Sequence, residues 1–304
     1  MIKIRLLLSY KLVCMAFTSL LFCGFVTKAL AEATEAQSIQ KEVAELKIFV
    51  ESGLKYIKEN GEKKAYQEFS TTTGKFRKGN LYLFVMGYDG VVLADGGDPT
   101  FVGKNLLNAK DKFGTPYFQL FVEAAHRDGG VVSYYWPRPD TGVLQYKTSY
   151  ITRLNNKAFI GAGVYKSLEV LSSQEIKINE LKKFVESAVE YVKQKGRQEA
   201  FKEFNNPQGK FIKGDWYIFA QNHNGDSLVH GGDPKKWVGI NVTGLKDEFG
   251  TPLIMMFVEA AKSGGGLVSY YWPHYIEGGA IRFKTTYVAP LDDQTYVAAG
   301  YYED

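Results

Sequence analysis

The chain has 304 residues, 45% of them hydrophobic and 14% aromatic. That suffices for one large domain or two of ordinary size, each with its own core. The formal net charge of +4 belongs to the N-terminus: Lys3, Arg5, Lys11 and Lys28 lie in the first 31 residues, and the remainder balances 33 basic against 33 acidic side chains, which argues against a nucleic-acid surface.

The chain opens with the basic start Met1-Ile2-Lys3-Ile4-Arg5, an apolar stretch from Leu12 to Val26, and the small-x-small site Ala29-Leu30-Ala31 ahead of Glu32. This order predicts a signal peptide over residues 1–31, cleaved near Ala31. The alternative is a retained membrane anchor, although the apolar run falls short of the roughly 20 residues a spanning helix needs. Cys14 and Cys23 lie in the same segment, so the mature chain is expected to have no disulfide, no thiolate metal site and no Cys nucleophile. Periplasmic or secreted localisation follows from this reading.

Next come Leu46, Phe49, Val50, Gly53, Leu54 and Ile57 at helical spacing. Asn60-Gly61 suits the end or a break of that helix. A hairpin follows, "LYLFVMG-YDG-VVLA", with Asp89-Gly90 as its tight-turn signal. A Gly/Pro/Asp loop then leads into a second helix, "TPYFQLFVEAAH", with Pro in its first turn. "VVSYYW", "LQYKTSYI" and "AFIGAGVY" read as three further strands.

The second half repeats this order. "ELKIFVES" (45–52) answers "ELKKFVES" (180–187), "GKFRKG" (74–79) answers "GKFIKG" (209–214), and "GGDP" recurs at 96–99 and 231–234. "KFGTP" (112–116) answers "EFGTP" (248–252), "VSYYWP" recurs at 132–137 and 268–273, and "YKTSY" (146–150) answers "FKTTY" (283–287). A period this long predicts tandem domains rather than a solenoid. The expected division is 38–165 and 174–304, with a linker at 166–173 and a capping box at Ser172-Ser173-Gln174-Glu175. Each half is expected to be α+β: a long helix and a five-stranded antiparallel sheet, with a helical crossover after the second strand.

"KG-x-x-Y-x-F", the "DG" hairpin, "GGDP…VGKN", "D-x-FGTP", "YYWP", "YKTSY" and "GAGVY", in that order, resemble the Cache domain family, PAS-like extracellular sensor domains of bacterial chemoreceptors and sensor kinases. The nearest type is the single-Cache form, here present in two tandem copies over nearly the whole mature chain. The resemblance implies a small-molecule pocket between the sheet and the crossover loops and helix, often for short organic acids or amino acids. The usual signalling through a membrane helix into a cytoplasmic module is not expected here, because the chain carries no second membrane segment and no kinase part. A binding protein feeding a separate membrane receptor, kinase or transporter fits better.

Lys147 and Lys284 sit mid-strand, where a lysine is either solvated or buried with a partner. In similar domains a Lys at this position anchors a ligand carboxylate, and low dielectric strengthens such a pair. Tyr134 and Trp136 share one strand face and Tyr135 the other; the same holds for Tyr270, Trp272 and Tyr271. These aromatics are either core or pocket wall. "GGDP" lacks the Lys-Ser/Thr of a phosphate loop and the acidic spacing of a calcium loop, and Asp95 is matched by His230. No metal, cofactor or enzymatic constellation is expected. The reading is therefore a small-molecule sensor, with a docking module whose pockets are filled by its own aromatics as the alternative. Pocket volume discriminates them: sites below about 100 Å³ favour docking, since ligand pockets run to about 300–1,000 Å³.

Overall fold

The computed structural model describes residues 41–165, 168–274 and 279–303. The expected signal peptide over residues 1–31 and its cleavage site lie outside the described residues. Among the described residues, no helix is long and apolar enough to cross a membrane. Val43–Asp304 form one compact unit.

The expected first helix, α1, covers 41–60. Leu46, Phe49, Val50 and Ile57 are buried as the spacing requires. Gly61, at φ 80°, breaks it, and α2 (Glu62–Phe69) follows. The hairpin forms as β2 (Leu81–Gly87) and β3 (Val92–Asp95). Crossover helix α3 (Tyr117–His126) leads to β4 (Gly130–Pro137), β5 (Leu144–Arg153) and β6 (Ala158–Tyr165). The sheet order is β2-β6-β5-β4, with β3 on the outer edge of β2. This sheet has six strands rather than five. The extra one, β1 (Arg77–Lys78), folds back on β2 with Lys78 opposite Leu81. Gly79, at φ 62°, and Asn80 are the two-residue turn that permits it.

The second half repeats this order. Helix α4 (Leu168–Lys195) is broken at Gly196 before α5 (Arg197–Phe204). It starts at Leu168, so the expected linker at 166–173 is helical from that point. The stretch "LEVLSSQE" contains no Gly or Pro to stop a helix before the capping box. A two-stranded piece, β7 (Ile212–Lys213) with β8 (Trp216–Tyr217), precedes β9 (Phe219–Asn222) and β10 (Ser227–His230). The expected first strand of this hairpin is thus split at Ile218. Short α6 (Pro234–Trp237) and crossover α7 (Leu253–Lys262) lead to β11 (Gly266–His274), β12 (Ala280–Pro290) and β13 (Thr295–Tyr302). The sheet order is β10-β9-β13-β12-β11.

Each sheet has two covered faces. In the first, Phe49, Val50, Ala65 and Phe69 of α1 and α2 pack on Leu83, Val85, Ile160 and Ala162. The opposite face carries α3, and its core continues into α7 of the second half. The halves meet through reciprocal bonds. Thr251 Oγ1 accepts the Val131 N–H at 3.1 Å, and Thr115 Oγ1 accepts the Leu267 N–H at 3.1 Å. Lys246 Nζ donates to the Arg127 carbonyl, and Lys110 Nζ to that of Ser263. Edge strands β4 and β11 would otherwise present unpaired backbone donors, so each half caps the other's edge.

The "D-x-FGTP" motif has a local reason. Asp111 Oδ1 accepts the N–H groups of Phe113 and Thr115, at 2.9 and 3.0 Å, and its Oδ2 accepts that of Tyr135 at 3.0 Å. Asp247 does the same for Phe249, Thr251 and Tyr271. One carboxylate thus shapes the turn before the crossover helix and pins it to the strand that follows.

Candidate functional site

Strand register places Lys147 directly opposite Tyr134, and Lys284 opposite Tyr270. Tyr134, Trp136 and Lys147 face α3, as period two requires. With Tyr82, Phe84, Asp95, Tyr117 and Phe121 they line a cavity of about 20 Å³. The Tyr117 and Tyr134 rings stack at 5.2 Å. Trp136 packs on Phe101, at 4.9 Å, from the segment that covers the cavity.

Lys147 is 1% exposed. Its Nζ lies 3.9 Å from the centre of the Tyr82 ring, a cation–π contact. Among the described residues it makes no hydrogen bond. Burial pulls its pKa from 10.5 to about 7, with the Asp95 charge resisting. Burial raises Asp95 to about 6, against Lys147 and the Gly97 and Asp98 N–H groups that Asp95 Oδ1 accepts, each at 2.8 Å. Two glycines make room for these groups. A Cβ on Gly163 of β6 would sit 2.8 Å from Lys147 Cε and 2.1 Å from Ser149 Oγ. One on Gly97 would sit 2.3 Å from Tyr82 Cζ.

The second half has the same frame with altered chemistry. Tyr270 and Trp272 line a cavity of about 30 Å³ with Tyr217, Gln221, Ser227, His230 and Trp237. Lys284 is not part of that lining. Its Nζ donates to Tyr217 Oη at 3.2 Å and lies 4.7 Å from the centre of the Tyr302 ring. Burial lowers it to about 7, with Asp215 resisting. His230, which takes the place of Asp95, accepts the Asp233 N–H on Nδ1 at 3.0 Å. Burial, then the Lys284 charge, lowers its pKa to about 4, so it stays neutral and keeps the acceptor role of Asp95.

Tyr135 and Tyr271 are not cavity residues. Both point to the opposite sheet face, where Tyr135 packs on Phe113 and Tyr146, and Tyr271 on Phe249 and Phe283. Alternation along the strand separates them from their neighbours. The structure adds Tyr82, Asp95 and Tyr117 to the first site and Tyr217 and His230 to the second. "KG-x-x-Y-x-F" was the available signal for the two hairpin tyrosines. In the sequence Asp95 stands out only as an acid with a histidine, His230, at the matching position, because its approach to Lys147 depends on strand order. Among the described residues, no group of three His, Cys, Asp or Glu side chains could hold a metal ion.

A Cache domain family model matches residues 23–304. No curated protein matches the chain. Similar solved structures include a methyl-accepting chemotaxis protein from Vibrio parahaemolyticus, 21% identical, covering 44% of this chain and 95% of its own, with a TM-score of 0.39. A Cache chemosensory domain solved as the structural basis for carboxylic acid recognition is 22% identical, covering 46% of this chain and 100% of its own, with a TM-score of 0.38. The ligand-binding domain of a Pseudomonas fluorescens chemoreceptor, in complex with L-isoleucine, is 13% identical, covering 88% of each chain, with a TM-score of 0.27. The model match extends over most of the chain, which therefore belongs to the Cache domain family of extracellular ligand-binding sensor domains.

Proposed function

We propose that this protein is a periplasmic or secreted sensor for a carboxylic acid of two or three carbons. It is built from two tandem Cache domains and feeds a separate membrane receptor, kinase or transporter. The observation that carries the reading is Lys147: a fully buried ammonium without a hydrogen bond, facing a cavity walled by Tyr82, Tyr134 and Trp136. A buried cation is costly unless paired and hydrogen-bonded; Asp95 offsets part of its charge without a hydrogen bond to it, and an arriving carboxylate supplies that bond. Tyr134 and Trp136 serve as the apolar wall. The first half is the preferred acid site, because Lys284 is already engaged by Tyr217.

The cavity size limits the ligand. About 20 Å³ is room for one or two waters, so only a very small acid enters, and only as the covering segment around Phe101 yields. Isothermal calorimetry with acetate, propionate and glycine tests this. Binding of acetate that disappears in Lys147→Met supports the reading; no binding by any acid ends it. The same small volumes favour a second reading, a docking module with filled pockets. Under it, no acid binds, and crosslinking in intact cells captures a membrane partner whether or not acid is present.

A further inference from the structure

A further difference between the halves lies outside the acid site, beside β7 and β8. There the second half has a cavity of about 310 Å³, lined by Ile212, Gly214, Asp215, Tyr217, His230, Gly231, Gly232, Asp233, His274 and Tyr302, among others. This volume falls within the small-molecule range.

In the first half a side chain of the protein reaches into the equivalent place. Arg77 Nε donates to the Gly79 carbonyl at 3.1 Å, and its Nη1 donates to the Gly96 and Gly97 carbonyls at 3.0 and 3.3 Å. These three glycines correspond to Gly214, Gly231 and Gly232, all of which line the cavity. Arg77 itself corresponds to Ile212: Arg77 pairs with Tyr82, and Ile212 with Tyr217. The second half has therefore kept the carbonyl cradle and lost the guanidinium.

The charges around it change in the same sense. Asn80 is replaced by Asp215, and Arg138 by His274. In the first half Arg138 Nε pairs with Asp140 Oδ1 at 2.8 Å. In the second, Asp215 Oδ2 lies 3.8 Å from His274 Nε2. Two arginines are lost, and Asp215 is gained while Asp95 gives way to a histidine, His230. Tyr217 and Tyr302 add aromatic faces of the kind that hold organic cations. The one buried ammonium nearby, Lys284, is hydrogen-bonded to Tyr217 and is not among the lining residues.

We propose that this cavity binds a small organic cation with a guanidinium head, which takes the place that Arg77 fills in the first half. The head donates to the carbonyls of Gly214, Gly231 and Gly232, and its charge is met by Asp215. The planar fork of a guanidinium suits a set of fixed acceptors better than a point-like ammonium does. This site is separate from the Lys147 site and does not depend on the acid reading.

Calorimetry of the full mature chain with methylguanidine, and with methylurea as its uncharged counterpart, tests the proposal. Methylguanidine is expected to bind at one site and methylurea not to bind. Ile212→Arg, which restores the plug of the first half, should abolish methylguanidine binding. Asp215→Asn, which restores the first half's residue, should weaken it roughly tenfold, the scale of a lost charge-assisted bond. Absence of methylguanidine binding, equal binding of methylurea, or unchanged affinity in both variants overturns the proposal. Acetate affinity, read on the same samples through Lys147, stays unchanged in both variants and separates this test from that of the acid site.

Discussion

Raising the pH from 6 to 8 should weaken acetate binding about tenfold. The perturbation acts on Lys147, whose pKa burial has brought to about 7. For such a group the ammonium fraction falls from roughly nine-tenths to one-tenth between these pH values, and the affinity for an anion falls with it. Acetate does not change charge in this window, since carboxylic acids titrate near pH 4. Asp95 acts in the same direction, because it is raised to about 6 and repels an anion more as it ionises. Binding should also take up a proton near pH 8, because a carboxylate beside Lys147 restores its charge. Titrations at both pH values, in two buffers of different ionisation enthalpy, measure affinity and proton uptake together. An affinity that is flat or rises with pH would refute the idea that a buried ammonium anchors the acid. So would an unchanged pH profile in Lys147→Met.

Further outcomes follow from the same geometry. Lys147→Met should raise the stability of the ligand-free protein, since it removes a desolvated cation. The sign is set by linkage: the folded pKa lies below the unfolded value near 10.5, so the penalty is full below pH 7 and is relieved between about 7 and 10.5. Chemical denaturation at pH 6 and pH 10 should show the gain shrinking at the higher pH. Gly163→Ala should abolish acetate binding, because its Cβ would collide with Ser149 Oγ and Lys147 Cε; calorimetry alongside circular dichroism checks that the fold survives. Asp111→Ala leaves the N–H groups of Phe113, Thr115 and Tyr135 without their carboxylate acceptor and should cost about 3 kcal/mol in urea denaturation. Thr115→Val and Thr251→Val each remove a bond between the halves. Each should cost about 1 kcal/mol, with the double mutant near the sum, since the two bonds are reciprocal rather than shared.

The sequence by itself determined the repeat, the order of elements, the helix break at Gly61, and which strand residues share a face. These are local matters: periodicity and turn chemistry act over a few residues and can be read directly. It also singled out Lys147 and Lys284, because a lysine between apolar strand neighbours is conspicuous in one dimension. Strand order and packing decided the rest. Tyr135 became core because helix α4 and the second half cover its face, and Tyr271 because Phe249 and Phe283 pack on it. Asp95 joined Lys147 because β3 pairs with β2, with Asp95 opposite Phe84, and the Lys147 ammonium reaches over the Tyr82 and Phe84 rings of β2. Lys284 turned to Tyr217 while Lys147 kept no such bond, although their sequence surroundings are nearly the same. At the cavity beside Ile212, that residue stands where the first half has Arg77, within otherwise matching hexapeptides. Its meaning depended on which three carbonyls the arginine reaches, and only the folded backbone brings Gly79, Gly96 and Gly97 to one guanidinium.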